Sequence, residues 1–167
     1  MICCALSIIQ PWPWLILRPD LVSPADRAAA RAAGKMKDCE NREWETPVRG
    51  WVLLHASNTR LAKWFYQGAA LFAAKRGVDI PMRDSLPYGA IVGAIRIDGC
   101  TSRPCSSWFT GPHAFLIGDS VPFETPIGLL GALRFFQLSA DITVERRIEA
   151  LIRAAGIAKQ FNLEDTP

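Results

Sequence analysis

The chain has 167 residues, 50% of them apolar and 21% charged, with a net charge of +3 and a pI near 8.7. That balance excludes a disordered chain and is enough for one domain with a real core, or one domain with a helical appendage. No apolar run reaches the roughly 18–20 residues of a membrane span, and the mild basicity permits a polyanionic partner without demanding one.

The opening Met1-Ile2-Cys3-Cys4-Ala5-Leu6-Ser7 lacks the basic region of a secretory signal, and Ile2 to Ile9 reads as a short strand. Pro11 and Pro13 bias their predecessors to extended backbone, so a turn follows, and Trp14 to Leu17 starts a helix with Pro13 in its first turn. Ser23-Pro24-Ala25-Asp26 is a helix start: a serine cap, a proline at the first position and an acidic residue three after the cap. Gly34 ends that helix. Its alanine-rich face, with Arg27 and Arg31 outward, predicts a peripheral helix.

From Gly34 to Ser57 the chain concentrates Lys37, Glu40, Arg42 and Arg49 around Trp44 and Trp51. Cys39 to Trp44 reads as extended, which puts Glu40, Arg42 and Trp44 on one face. Thr46 to Gly50 is a turn. Trp51 to Ala56 is the clearest strand, and it brings His55 and then Ser57 to its end. The bland reading of this stretch is a solvated edge strand laced with weak ion pairs.

Ser57-Asn58-Thr59 offers caps for a helix whose Leu61, Trp64, Phe65, Ala69, Phe72 and Ala73 recur at helical spacing, a stripe that predicts core. Gly77 closes it. Asp79 to Tyr88 is a loop and Gly89 to Asp98 a strand. Cys100 to Pro112 is a loop with a helical turn near Ser106–Phe109. Ala114–Ile117 and Val121–Phe123 read as two strands, Pro126-Ile127-Gly128 as a turn and Leu129–Leu138 as the last strand. Asp141 caps a final helix with Val144, Ile148, Leu151, Ile152 and Ala155 on its apolar stripe and Gly156 as its stop; the tail from Asn162 reads as frayed. Short strands without regular crossover helices argue against a doubly wound parallel sheet. The expectation is an α+β fold, a small, mostly antiparallel β-barrel flanked by helices, over residues 1–139, with residues 140–167 as a C-terminal helix and tail packed on it.

Five cysteines and two histidines show no CxxC and no zinc spacing. The expectation is reduced thiols in a cytoplasmic protein, most of them small core residues, with no metal and no cofactor; Cys39, beside Lys37 and Arg42, is the one alternative candidate for a reactive thiol.

Four segments together resemble one family. Leu6-Ser7-Ile8-Ile9-Gln10-Pro11-Trp12 resembles the opening of the ASCH domain, first described in the activating signal cointegrator. Lys37-x-x-Glu40-x-Arg42-x-Trp44, with Thr46-Pro47 and Arg49-Gly50, resembles its central motif. Leu86 to Gly93 with Asp98-Gly99-Cys100, and Phe115-Leu116-Ile117 with Pro126 to Gly131, resemble its later blocks. The resemblance covers residues 2 to 139. It implies a PUA-like fold, a cleft lined by the central motif and a role in binding RNA or other nucleic acid. One branch resembles an amidohydrolase acting on an acylated cytidine through a lysine, a threonine and a glutamate, and another is described as a ribonuclease. Against that pattern the chain carries a helical insertion at about 20–34, and Glu40 stands at the threonine position, so that hydroxyl is absent.

The residue types fit binding of single-stranded nucleic acid or a modified nucleoside. Lys37, Arg42 and Arg49 supply cations for phosphates or base edges. Trp12, Trp44 and Tyr88 are stacking candidates, with packing as the alternative for both tryptophans. Glu40 accepts from an amino group or holds a neighbouring cation, and His55 and Ser57 complete the candidate set. The alternative is a hydrolase on RNA or nucleosides in which Lys37 and Glu40 form a proton-transfer pair, with His55 as a base or a structural histidine. A third reading is a protein-interaction module using the C-terminal helix with Arg146, Arg147 and Arg153. Oligomeric state has no signature in the sequence.

Overall fold

The computed structural model describes residues 4–138 and 141–163. Ile2 and Cys3 of the expected first strand, the 139/140 domain boundary and the tail from Glu164 lie outside them. The first strand, β1, is Ala5–Ile8, and α1 follows at Trp12–Leu17 with proline in its first turn. Helix α2 is Pro24–Ala32, capped as the sequence dictates, with the Ser23 hydroxyl accepting from the Asp26 amide at 3.0 Å. Then come β2 (Cys39–Arg42), β3 (Gly50–Ala56), α3 (Lys63–Ala74), β4 (Ala90–Thr101), β5 (His113–Gly128), β6 (Phe135–Phe136) and α4 (Ile142–Ala154).

The fold is mixed α+β: a single six-stranded sheet in the order β2-β5-β4-β3-β1-β6, curled into a half-barrel, with four α-helices among the described residues. All neighbouring strands are antiparallel except β1 and β3. Three rings draw the two ends of the curl together. Trp44, just past β2, meets Phe115 of β5 at 5.0 Å and Phe135 of β6 at 5.8 Å, and the two phenyl rings stack.

Strand alternation divides the core. Leu6, Ile8, Val52, Leu54 and Phe115 point into the curl, which Ile16 and Leu17 of α1 help fill. Ala5, Leu53, Ile91 and Ala94 point to the other face, which Ile148 and Ile152 of α4 cover. The apolar side of α4 is thus buried on the sheet. Asp141 caps this helix through the Thr143 and Val144 amides.

Four expectations need correction. The two strands read at Ala114–Ile117 and Val121–Phe123 are one strand, β5, that continues through the expected Pro126-Ile127-Gly128 turn to Gly128. Past Ile117, β5 pairs with β4 alone, and an edge tolerates Pro122 and Pro126. The last strand is only Phe135–Phe136. Helix α3 starts at Lys63 rather than after Ser57-Asn58-Thr59, and its cap position, Ala62, offers no side-chain bond. Arg27 and Arg31 of α2 turn inward. Arg27 donates to the carbonyls of Leu17, Arg18 and Ser120, and Arg31 to that of Ile117. Both guanidiniums also reach the Ser120 hydroxyl. They occupy acceptors along β5 that β2 is too short to cover, so α2 shields a strand edge of the kind that otherwise invites pairing.

Candidate functional site

Lys37 enters the site from a pinned backbone, because its amide donates to the Leu15 carbonyl at the end of α1. Its ammonium, on a residue only 2% exposed, reaches Oε2 of Glu40, itself 6% exposed, at 2.8 Å and also donates to the Cys39 carbonyl. The Trp12 ring lies 5.7 Å from the ammonium. On the other side of the carboxylate, Arg42 Nε stands 3.5 Å from Oε1 without hydrogen-bond geometry, and Nη2 donates to the Ser7 carbonyl at 2.8 Å. One carboxylate therefore lies between two cations, and the cluster is net positive.

This pair lies at the wall of a cavity of about 450 Å³, bounded by Trp12, Lys37, Glu40, Asn41, Thr110 and one face of α3. The size is that of a small-molecule site. The α3 face consists of Phe65, Gly68, Ala69 and Phe72, at the i, i+3, i+4, i+7 spacing of one helix side, with Trp64 at its edge one turn before Gly68. Two phenyl rings flank a gap at Gly68 and Ala69, which makes a slot. Trp12 closes on it, meeting Phe72 edge-on at 6.1 Å. The polar end is held rigid: Asn41 donates to the Trp108 carbonyl and accepts from the Thr110 amide, and the indole of the fully buried Trp108 donates to Gly34.

The expected site residues do not all converge. Trp12, Lys37 and Glu40 share the slot. Arg42 touches the pair from outside it, and Trp44 packs between β5 and β6 under the Arg134 guanidinium. Arg49 is exposed on a separate polar groove with Glu45 and Arg103, and donates to the Thr46 and Val48 carbonyls. His55, Ser57 and Tyr88 line a second cavity, of about 650 Å³, under the 128–133 loop. His55 shares its strand face with Leu53, opposite Leu54, so strand parity separates it from the interior of the curl.

In that second cavity His55 is committed to structure. Its Nε2 donates to the Leu129 carbonyl at 3.0 Å, so Nδ1 accepts from the Ser7 hydroxyl at 3.0 Å when the ring is neutral. Burial holds the imidazole below its ordinary range, with the Leu129 bond opposing. The Tyr88 hydroxyl donates to the Arg83 carbonyl, and its ring lies under the Arg60 guanidinium. Cys39 is buried beside Trp108, and burial pushes its thiol up to about 12. Cys39 is therefore a small core residue and not the reactive alternative, since an uncharged buried thiol is inert.

Sequence reasoning missed Asn41, Gly68 and Thr110, and it placed Trp64, Phe65 and Phe72 in the core. The packed row of α3 is Tyr66, Ala69 and Ala73, whereas Trp64 is 72% and Phe65 48% exposed. Among the described residues no group of three or more His, Cys, Asp or Glu stands together as a metal site requires, and no helix is long and apolar enough to cross a membrane. No protein-family model matches the chain, and no curated protein matches it.

Proposed function

We propose that the chain is an ASCH-type domain of PUA-like fold that binds single-stranded nucleic acid, RNA in preference to DNA, by taking one unstacked base into the slot between α1, β2 and α3. The observation that carries this reading is the buried Lys37–Glu40 pair at the polar end of an aromatic-sided cavity. A nucleobase has two apolar π-faces and one edge of donors and acceptors. The faces match Trp12, Phe65, Phe72 and the bare backbone at Gly68; the edge matches an ammonium, a carboxylate, an amide and a hydroxyl. Unstacked bases held between aromatic side chains and read along their edges are the usual mode for single strands. The net positive cluster of Lys37, Glu40 and Arg42 favours an electron-rich ligand.

The test is anisotropy of a labelled single-stranded RNA across a salt series. Binding that weakens with salt in proportion to the phosphates contacted is expected, together with loss of binding in Gly68→Leu, which fills the slot. Absent or salt-insensitive binding contradicts the reading.

A second reading is a hydrolase on RNA or on modified nucleosides, and one observation favours it. Thr110 lines the same cavity as Lys37 and Glu40 and carries the hydroxyl that position 40 lacks. Incubation with RNA and with acylated nucleosides, beside Lys37→Ala, tests it. Turnover that disappears in the variant supports it, and equal inertness of both proteins refutes it.

A further inference from the structure

The α3 wall of the slot runs out into solvent. Trp64 lines the cavity beside Phe65, yet it is 72% exposed and Phe65 48%. Contiguous exposed apolar side chains mark a contact surface. The electrostatic setting narrows the partner. From Arg60 to Arg76 the chain carries Arg60, Lys63, Lys75 and Arg76 and no carboxylate. Arg60 is engaged by Asp84, and Arg76 lies over the Phe72 and Trp108 rings. Lys63 and Lys75 are exposed at the two ends of the helix. Aromatic surface between cations is complementary to a polyanion that also offers π-faces.

We propose that α3 is a two-base platform: the Gly68–Ala69 slot takes one base of a single strand, and the exposed Trp64, one turn nearer the start of the helix, stacks the next. This rests on the cavity reading above and goes beyond it, because it makes the ligand a strand of at least two nucleotides rather than a nucleoside. Trp64 and Gly68 are four residues apart, about 6 Å along the helix axis, a step that a flexible strand spans between adjacent bases. The Trp64 indole meets Phe65 edge-on at 5.4 Å, so the ring that walls the slot also braces the platform beside it. A Cβ at Gly68 would meet nothing within 4 Å, and its backbone is helical with no positive φ. Neither packing nor conformation asks for glycine in mid-helix, where it weakens the helix. What the missing side chain leaves is room in the slot.

The experiment compares wild type, Trp64→Ala and Gly68→Leu, with circular dichroism confirming that each is folded. The probes are a short fluorescein-labelled single-stranded RNA of mixed sequence and the four nucleoside monophosphates. Loss of the second stack predicts that Trp64→Ala weakens RNA binding about 5- to 150-fold more than it weakens nucleoside monophosphate binding, whereas Gly68→Leu abolishes both. A Trp64→Ala loss that is the same for RNA as for the nucleoside monophosphates to within about twofold, while Gly68→Leu still abolishes binding, overturns the platform and leaves the cavity reading standing. RNA binding that survives Gly68→Leu, or that wild type lacks, overturns the cavity reading and the platform with it. Association with phosphatidylserine vesicles, or self-association, that requires Trp64 while RNA affinity does not would assign the exposed row to a lipid surface or a second copy and overturn the proposal.

Discussion

Replacing Lys37 by methionine removes one charge of the buried pair while keeping the length of the side chain. The Lys37 and Glu40 side chains are 3% and 7% exposed, so solvent does little to screen the charge left behind. Removing one partner of such a pair costs about 3–5 kcal/mol. Arg42 Nε remains 3.5 Å from Oε1 of Glu40 and partly compensates the stranded carboxylate, which places Lys37→Met at the lower end, about 3 kcal/mol. For a chain of this size that corresponds to a fall of about 6–12 °C in Tm. Glu40→Gln strands the ammonium instead and is expected to cost a similar amount. The double variant leaves no unpaired charge, and its cost is expected to fall short of the sum of the single costs by about 2 kcal/mol, the coupling of groups in direct contact. Urea unfolding of the four proteins, with unchanged m-values, measures the cycle. A Lys37→Met cost below about 1 kcal/mol, the range of exposed pairs, or strict additivity would refute the description of this pair as buried and coupled.

Gly68→Ala is expected to stabilise the fold by about 0.8–1 kcal/mol through helix propensity alone, because the new methyl meets nothing within 4 Å; differential scanning calorimetry would read this as a Tm rise of about 2–4 °C. His55 gives stability a pH dependence of definite sign. Burial lowers its pKa from the ordinary 6.5, so below about pH 6.5 the unfolded chain takes up a proton that the folded chain resists. Stability is therefore expected to fall as pH drops through that window, and a Tm series should show a shallower fall for His55→Gln. Joint replacement of Arg27 and Arg31 by alanine uncovers the carbonyls of Ile117 and Ser120. Each lost charged hydrogen bond is expected to cost about 1.5–3 kcal/mol before water compensates, and sedimentation should show concentration-dependent self-association through the β5 edge.

Local signals in the chain were legible where one or two residues decide the structure. Ser23 with Asp26 and the Asp141 cap mark helix starts, and Gly34, Gly77 and Gly156 take the positive φ that ends helices. Signals that depend on partners were not. Helix α3 has one polar residue, Gln67, between Trp64 and Ala74. A helix apolar all round carries no phase, so the sequence could not say which side packs and which lines a cavity. The continuity of β5 depends on β4 running beside it through Gly128, which Pro122 and Pro126 conceal locally. Of the candidate site, Lys37 and Glu40 lie three residues apart, and their contact is a local matter. The separation of His55, Ser57 and Tyr88 from that pair follows from the parallel pairing of β1 with β3 and from the face of β3 that His55 occupies. Neither is written in spacing along the chain.

Titration of the isotope-labelled protein with a short single-stranded RNA, followed by amide and indole chemical shifts, shows whether a base enters the slot between α1, β2 and α3. Shifts are expected to cluster at the Trp12 and Trp64 indoles and at the amides of Lys37, Asn41, Gly68 and Thr110. Shifts confined to the His55 and Tyr88 cavity under the 128–133 loop, or no shifts at all, would contradict base entry into the slot.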